Sequence, residues 1–202
     1  MEHKYNIPKE FLGGARKEYL GIEETFMATA IIWGSRSKDP STQVGACIVN
    51  EDNRVISVGY NGTPIGWPND EFPWQKNAMC ICEKCKRPTD QNATKYPYVV
   101  HAEMNAILNY DGSGKDFENS TVYVTLFPCS NCAKFLSQRG IKKVVYLSDK
   151  YKDTPDNIAA KILFQKVGIE VVQFNSDVKF LGIPLEPDSQ VDIEKGISRV
   201  RK

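Results

Sequence analysis

Two short segments far apart in the chain constrain its fold more than any other feature. They are His101-Ala102-Glu103 and Pro128-Cys129-Ser130-Asn131-Cys132. The first offers an imidazole and a carboxylate two residues apart. The second offers two thiols at C-x-x-C spacing directly after a proline. Alone, a His-x-Glu reads as a surface helix start, and a C-x-x-C as a redox or structural zinc motif. Together they supply three zinc ligands (His101, Cys129 and Cys132) and one carboxylate, Glu103, that need not bind. Three protein ligands with an open fourth position describe a catalytic zinc and not a closed structural one. Zinc lowers the pKa of a water in that position to about 7, and Glu103 can then move the proton. A chain that uses both segments must fold so that they meet.

The hydrophobic periodicity predicts how. Gly21 to Arg36 carries Phe26, Met27, Ala30, Ile31 and Trp33 at the spacing of one helical face. Val44–Val49 and Val55–Val58 read as strands joined by a hairpin at 50–53. His101–Tyr110 reads as a helix with His101 and Glu103 in its first turn, stopped by Asp111-Gly112-Ser113-Gly114. Thr121–Leu126 reads as a strand, and Ser130–Arg139 as a helix ended by Gly140. A strand over Lys142–Leu147, a helix over Asp156–Val167 ending at Gly168, and a strand over Ile169–Phe174 complete the pattern. This order implies an α/β fold, a three-layer α/β/α sandwich with a central mixed five-stranded sheet. The first strand pair should be antiparallel, and the strands joined through helices parallel. Both metal-bearing segments then open helices, where unpaired N–H groups and partial positive charge favour thiolates.

The chain divides accordingly. Residues 1–18 read as a polar N-terminal arm, 19–174 as the catalytic domain, and 175–202 as a weakly periodic C-terminal extension with Arg199, Arg201 and Lys202 near its end. Inside the domain, 65–98 is an irregular insert punctuated by Pro68, Pro73, Pro88 and Pro97.

H-x-E followed by P-C-x-x-C is the signature of the zinc nucleobase deaminases. Several further stretches extend the likeness: Ser37-Lys38-Asp39-Pro40, Gln43-Val44-Gly45-Ala46, Gly59-Tyr60-Asn61-Gly62, His101-Ala102-Glu103-Met104-Asn105-Ala106-Ile107 and Thr125-Leu126-Phe127-Pro128-Cys129. With them, the sequence resembles the deoxycytidylate (dCMP) deaminase family from about Tyr19 to Phe174. The resemblance implies a cytidine deaminase-like fold and hydrolytic loss of the 4-amino group of dCMP, giving dUMP and ammonia and feeding dTMP synthesis. It implies that Glu103 shuttles protons, that Asn61 hydrogen-bonds the deoxyribose, and that the backbone N–H of Ala102 holds the base. Phe127 would pack near the pyrimidine, and Lys150 and Tyr151 would line the site. It further implies a homohexamer activated by dCTP and inhibited by dTTP, with Mg2+ accompanying the triphosphate. The Ser37–Thr42 loop and Asn61-Gly62 are the candidates for part of that effector site. For the substrate phosphate the residues offer Arg36, Lys38, Ser35 and Lys115, each of which also reads as a solvated loop residue.

Composition sets the outer limits. With 26 Lys+Arg against 25 Asp+Glu, the chain has no basic excess with which to grip a nucleic-acid backbone. That argues against a tRNA or DNA editor. There is no run of about 18 apolar residues, so no membrane span is expected. The N-terminus leads to no apolar signal region, so a cytoplasmic protein with reduced thiols is expected. Cys47, inside a predicted strand, reads as a buried inert thiol. Cys80, Cys82 and Cys85 fall in the insert at knuckle spacing. They suggest a second, structural zinc whose fourth ligand would be His3, or Cys47 if that thiol is not buried. Three free loop thiols is the competing reading. Two rival functions stand beside the main one. One is a deaminase of another base or nucleoside. The other is a non-catalytic interaction module stabilised by a four-ligand zinc, in which Glu103→Gln would cost nothing.

Overall fold

In the computed structural model of the chain, the residues described are 8–9, 13–77, 90–186 and 192–195. His3, Cys80, Cys82 and Cys85 lie outside them, and with them the second zinc expected for the insert. Nine elements build the sandwich: α1 (Ile22–Gly34), β1 (Gly45–Val49), β2 (Val55–Tyr60), α2 (Ala102–Leu108), β3 (Thr121–Leu126), α3 (Ser130–Gln138), β4 (Lys143–Ser148), α4 (Pro155–Val167) and β5 (Glu170–Gln173). The five strands form one mixed sheet in the order β2-β1-β3-β4-β5. β1 pairs antiparallel with both β2 and β3. β3, β4 and β5 run parallel, each step crossing over through a helix. The fold is the three-layer arrangement expected.

Strand alternation explains the layers. Successive side chains of a strand point to opposite faces. In β1, Cys47 and Val49 pack with Phe26, Met27 and Ala30 of α1 on one face, joined by Tyr123 and Val145. Ala46 and Ile48 point the other way, into a larger core with Val122, Val124 and Val144 and with Ala106, Leu136 and Phe164 of α2, α3 and α4. All five residues of β1 are therefore buried, and the strand reads as a continuous apolar run, as a strand covered on both faces does. Cys47 is fully buried, and burial pushes its thiol up to about 12, so it is no ligand for an outside metal.

One contact seats the site-bearing helix. A Cβ at Gly59 would lie 2.3 Å from both the carbonyl oxygen of Ala102 and the backbone nitrogen of Ala106. Only a glycine in β2 lets α2 come this close, and α2 begins beside His101. The helix stops fall where expected: Gly140 and Gly168 adopt φ of 74° and 78°, left-handed values that suit glycine.

Two details differ from the sequence reading. Ile31 and Trp33 do not belong to the buried face of α1, since they are 48% and 37% exposed. The helix meets the sheet through Phe26, Met27, Ala30 and Gly34, which places Ile31 and Trp33 on its outer side, with Trp33 stacked 6.2 Å from Tyr60. The stretch after 174 also contains an antiparallel strand pair, β6 (Val178–Gly182) with β7 (Asp192–Lys195), that weak periodicity does not foretell. Among the described residues no helix is long and apolar enough to cross a membrane.

Candidate active site

The ligand-bearing segments meet because α2 and α3 start side by side beyond the C-terminal end of β3, the middle strand of the sheet. Leaving β3, the chain runs through Phe127, whose N–H donates to the Ser148 carbonyl at 2.8 Å. It then enters α3 with Cys129 as N-cap. His101, in extended conformation, is the N-cap of α2. Asp156, in the first turn of α4, fastens the start of α3. It accepts from the Ser130 N–H at 3.2 Å and from the Ser130 hydroxyl at 2.5 Å.

His101 Nδ1 lies 3.4 Å from the sulfur of Cys129 and 3.4 Å from that of Cys132. All three ligand atoms fall within 4.8 Å of one another, and among the described residues this is the group able to hold a metal. The donor set fits zinc. Bonds of about 2.0–2.3 Å arranged tetrahedrally around one ion span nitrogen–sulfur separations of roughly 3.5 Å. One imidazole with two thiolates is also the borderline-to-soft chemistry that zinc takes. Glu103 stands outside the trio, in the first turn of α2 and 4% exposed.

The charges are tightly coupled. A hydrogen bond from Cys132 above all, helped by His101 and opposed by burial, holds the Cys129 thiol down at about 4. The same Cys129 contact lifts His101 to about 9 against the effect of its burial. Cys132, donating to Cys129 and buried, is pushed well up. Burial pushes the Glu103 carboxyl up, and the neighbouring His101 charge opposes this. A metal ion entering the trio displaces the ligand protons.

These groups open into a cavity of about 320 Å³, a size suited to a small ligand. His101, Ala102, Glu103 and Cys129 line it together with Asn61, Phe127 and Tyr151. Of the residues named from the sequence, the metal ligands His101 and Cys129, the carboxylate Glu103, and Asn61, Ala102, Phe127 and Tyr151 thus face one space, while Cys132 is fully buried behind it and Lys150 does not line it. Phe127 is held edge-on by Tyr146 and Phe164, with ring centroids 4.9 and 6.1 Å away. Tyr151 is half exposed. Its burial would raise the phenol, but a hydrogen bond with Thr42 and the charges of Lys150 and Lys76 outweigh that and lower it.

The phosphate candidates are a correction. Arg36, Lys38, Ser35 and Lys115 do not line the cavity. The Ser35 hydroxyl donates to the Ile32 carbonyl at the end of α1, and Lys115 sits in a short turn over Gly114–Phe117. Lys150 donates to the Thr42 hydroxyl at 3.0 Å and lies 5.0 Å from the centroid of the Tyr151 ring. Among the described residues, the lysines that line the cavity are Lys76 and Lys95, both inside the irregular insert, where no periodic pattern marks them. Lys95 forms a buried ion pair with Asp39. Asp39, in the Ser37–Thr42 loop, also lines the cavity, so the loop considered for an effector forms a wall of this space.

The sequence and the structure both match known proteins. Residues 21–148 fit the family model "Cytidine and deoxycytidylate deaminase zinc-binding region". The deoxycytidylate deaminase of Pongo abelii is 46% identical over 159 residues, covering 79% of this chain and 83% of that one. That of Mus musculus is 44% identical over 174 residues, covering 86% and 90%. Among solved structures, the dCMP deaminase of cyanophage S-TIM5 in complex with dCMP and dUMP superposes with a TM-score of 0.55 at 28% identity, covering 76% of this chain and 96% of that one.

Proposed function

The chain belongs to the cytidine and deoxycytidylate deaminase zinc-binding family, and from that premise we propose that it hydrolyses dCMP to dUMP and ammonia. The observation that carries the reading is the convergence of His101, Cys129 and Cys132 beside a buried, non-ligating Glu103 on one cavity. The names of the relatives, and the dCMP and dUMP held by the cyanophage enzyme, support the choice of nucleotide.

The residues divide the work. His101, Cys129 and Cys132 would hold a zinc ion, which would supply a Lewis acid and bring a water's pKa down to about 7. Glu103 would take one proton from the attacking water and deliver it to N3 of the cytosine as the oxygen adds to C4, and would then pass the remaining hydroxyl proton to the amine, which leaves as ammonia. Its burial suits the task, because a carboxyl raised toward neutrality can both accept and return a proton. Phe127 packs on the pyrimidine, the Ala102 N–H holds the base, and Asn61 binds the deoxyribose. At the half-exposed side, the phosphate meets Lys76, Lys150 and Tyr151. Regulation belongs to the same reading: dCTP activates and dTTP inhibits, each with Mg2+, in a cytoplasmic homohexamer that feeds dTMP synthesis. The family resemblance supports this part.

The test is a turnover assay on the purified full chain with zinc counted per chain. dCMP should react far faster than cytidine, deoxycytidine or single-stranded DNA. A chelator should abolish turnover and zinc restore it, while dCTP and dTTP should move the rate in opposite directions. Absence of dCMP turnover in a zinc-loaded chain would refute the assignment.

A further inference from the structure

We infer that Asp39 and Lys95 are positioning residues, which lock the side-chain amide of Asn61 so that it presents only an acceptor oxygen to a sugar hydroxyl of the substrate. The inference rests on the dCMP reading and says how one end of that substrate is recognised.

An asparagine amide can sit in two ways. Its oxygen accepts and its nitrogen donates twice, and the hydrogen-bond partners decide which is where. Asn61 is 6% exposed at the end of β2 and lines the cavity. Its Oδ1 accepts from the Val44 N–H at 2.8 Å. Its Nδ2 donates to the Thr42 carbonyl at 3.0 Å and to Asp39 Oδ2 at 3.3 Å. Turned over, the amide would set donor against donor at Val44 and acceptor against acceptor at Thr42 and Asp39. Three partners therefore enforce one orientation. Both N–H groups are consumed, and the one capacity left is the second lone pair of Oδ1. Asn61 can accept from a ligand and cannot donate to one. The sugar of dCMP carries one donor, its 3′-hydroxyl.

Of the three partners, Asp39 is the one that needs support. It is 3% exposed, and a carboxylate buried to that extent is retained as an anion only if paired and hydrogen-bonded. Its Oδ1 accepts from the backbone N–H groups of Ser41 at 2.8 Å and Thr42 at 3.2 Å. Its Oδ2 faces Asn61 and the ammonium of Lys95. Lys95 is itself 5% exposed and is fixed by its backbone, whose N–H donates to the Gln75 carbonyl and whose carbonyl accepts from Val99. Without the ammonium, the Oδ2 that Asn61 donates to loses the group that holds it in place. The amide then turns or leaves its place, and the acceptor for the hydroxyl is lost.

The experiment compares dCMP with 2′,3′-dideoxycytidine monophosphate, which lacks the hydroxyl. Wild type, Lys95→Met and Asp39→Asn are assayed with both, alongside zinc content and thermal midpoint. In Asp39→Asn the new amide can still accept from Ser41 and Thr42, but it places a donor against Asn61, so this variant asks the same question without removing the lysine. Wild type should prefer dCMP by about tenfold or more in kcat/KM, since a site built around a hydroxyl rejects the analogue lacking it. In either folded, zinc-loaded variant the preference should fall to within about threefold of unity, through loss on dCMP alone. A wild type indifferent to the hydroxyl overturns the inference. So does a variant that slows both substrates by one common factor, the mark of a purely structural role. If the wild type turns over neither nucleotide, the dCMP reading itself fails, which separates the two failures.

Discussion

Replacing Glu103 with glutamine isolates the proton-transfer step from everything else the site does. Glutamine matches glutamate in shape, so the first turn of α2 and the packing around it persist. The metal trio does not include Glu103, so zinc should stay at one per chain in the site. The magnitude follows from what else could act as base. Glu103 is 4% exposed, so bulk water does not reach the position freely. The other carboxylates on the cavity are engaged: Asp39 with Lys95, and Asp156 with the start of α3. With no surrogate, the loss should equal the full value of general acid–base catalysis, about 10²–10⁴-fold in kcat or roughly 2.7–5.5 kcal/mol in the barrier. The assay is the fall in ultraviolet absorbance as dCMP becomes dUMP, with metal analysis on the same sample. Turnover within a few fold of wild type would refute the role of Glu103. Loss of zinc from the variant would show that the carboxylate ligates and that the trio is not the whole ligand set.

Two further expectations concern the scaffold. Leu136, fully buried on α3 one turn past Cys132, should cost about 2–5 kcal/mol when cut to alanine, read as a lowered urea midpoint; a cost under about 1 kcal/mol would mean that the core beneath the metal trio is loosely packed. Cys47 should resist thiol reagents in the native protein at pH 8 and react once urea unfolds it. Its folded value of about 12 lies above the ordinary 9.0, so the stability it contributes is complete below pH 9 and is lost as pH rises toward 12. The stability of wild type relative to Cys47→Ala should therefore fall across that window, and a difference that stays flat with pH would contradict the burial.

The parts of the site that were legible in the sequence are those that local chemistry dictates. His101 and Cys129 are N-caps, and Glu103 and Cys132 lie in the first turns that follow. Each such position is set by a few neighbouring residues, by the end of a strand and by a glycine stop. The strands could be read for the same reason, since a doubly covered strand must be apolar on both faces. The outer face of α1 is not legible in the sequence because apolar residues lie all around that helix, and only contact with the sheet reveals which of them it uses. The phosphate candidates failed on a different point. Arg36 lies beside and Lys38 within the Ser37-Lys38-Asp39-Pro40 stretch, but position in sequence does not say on which side of a turn a long side chain will lie.

The sequence by itself determined the ligand chemistry, the order of elements and the pairing of zinc donors with a free carboxylate, because residue type and short spacing fix these before any folding. Only the tertiary structure decided who supports them. Asp39 meets Asn61 across 22 positions and Lys95 across 56, the second of these from within an insert that has no periodicity. Contacts of that kind arise from sheet order and loop closure. The buried charge could be tolerated in the wall of the cavity only once the fold had brought its partner to it.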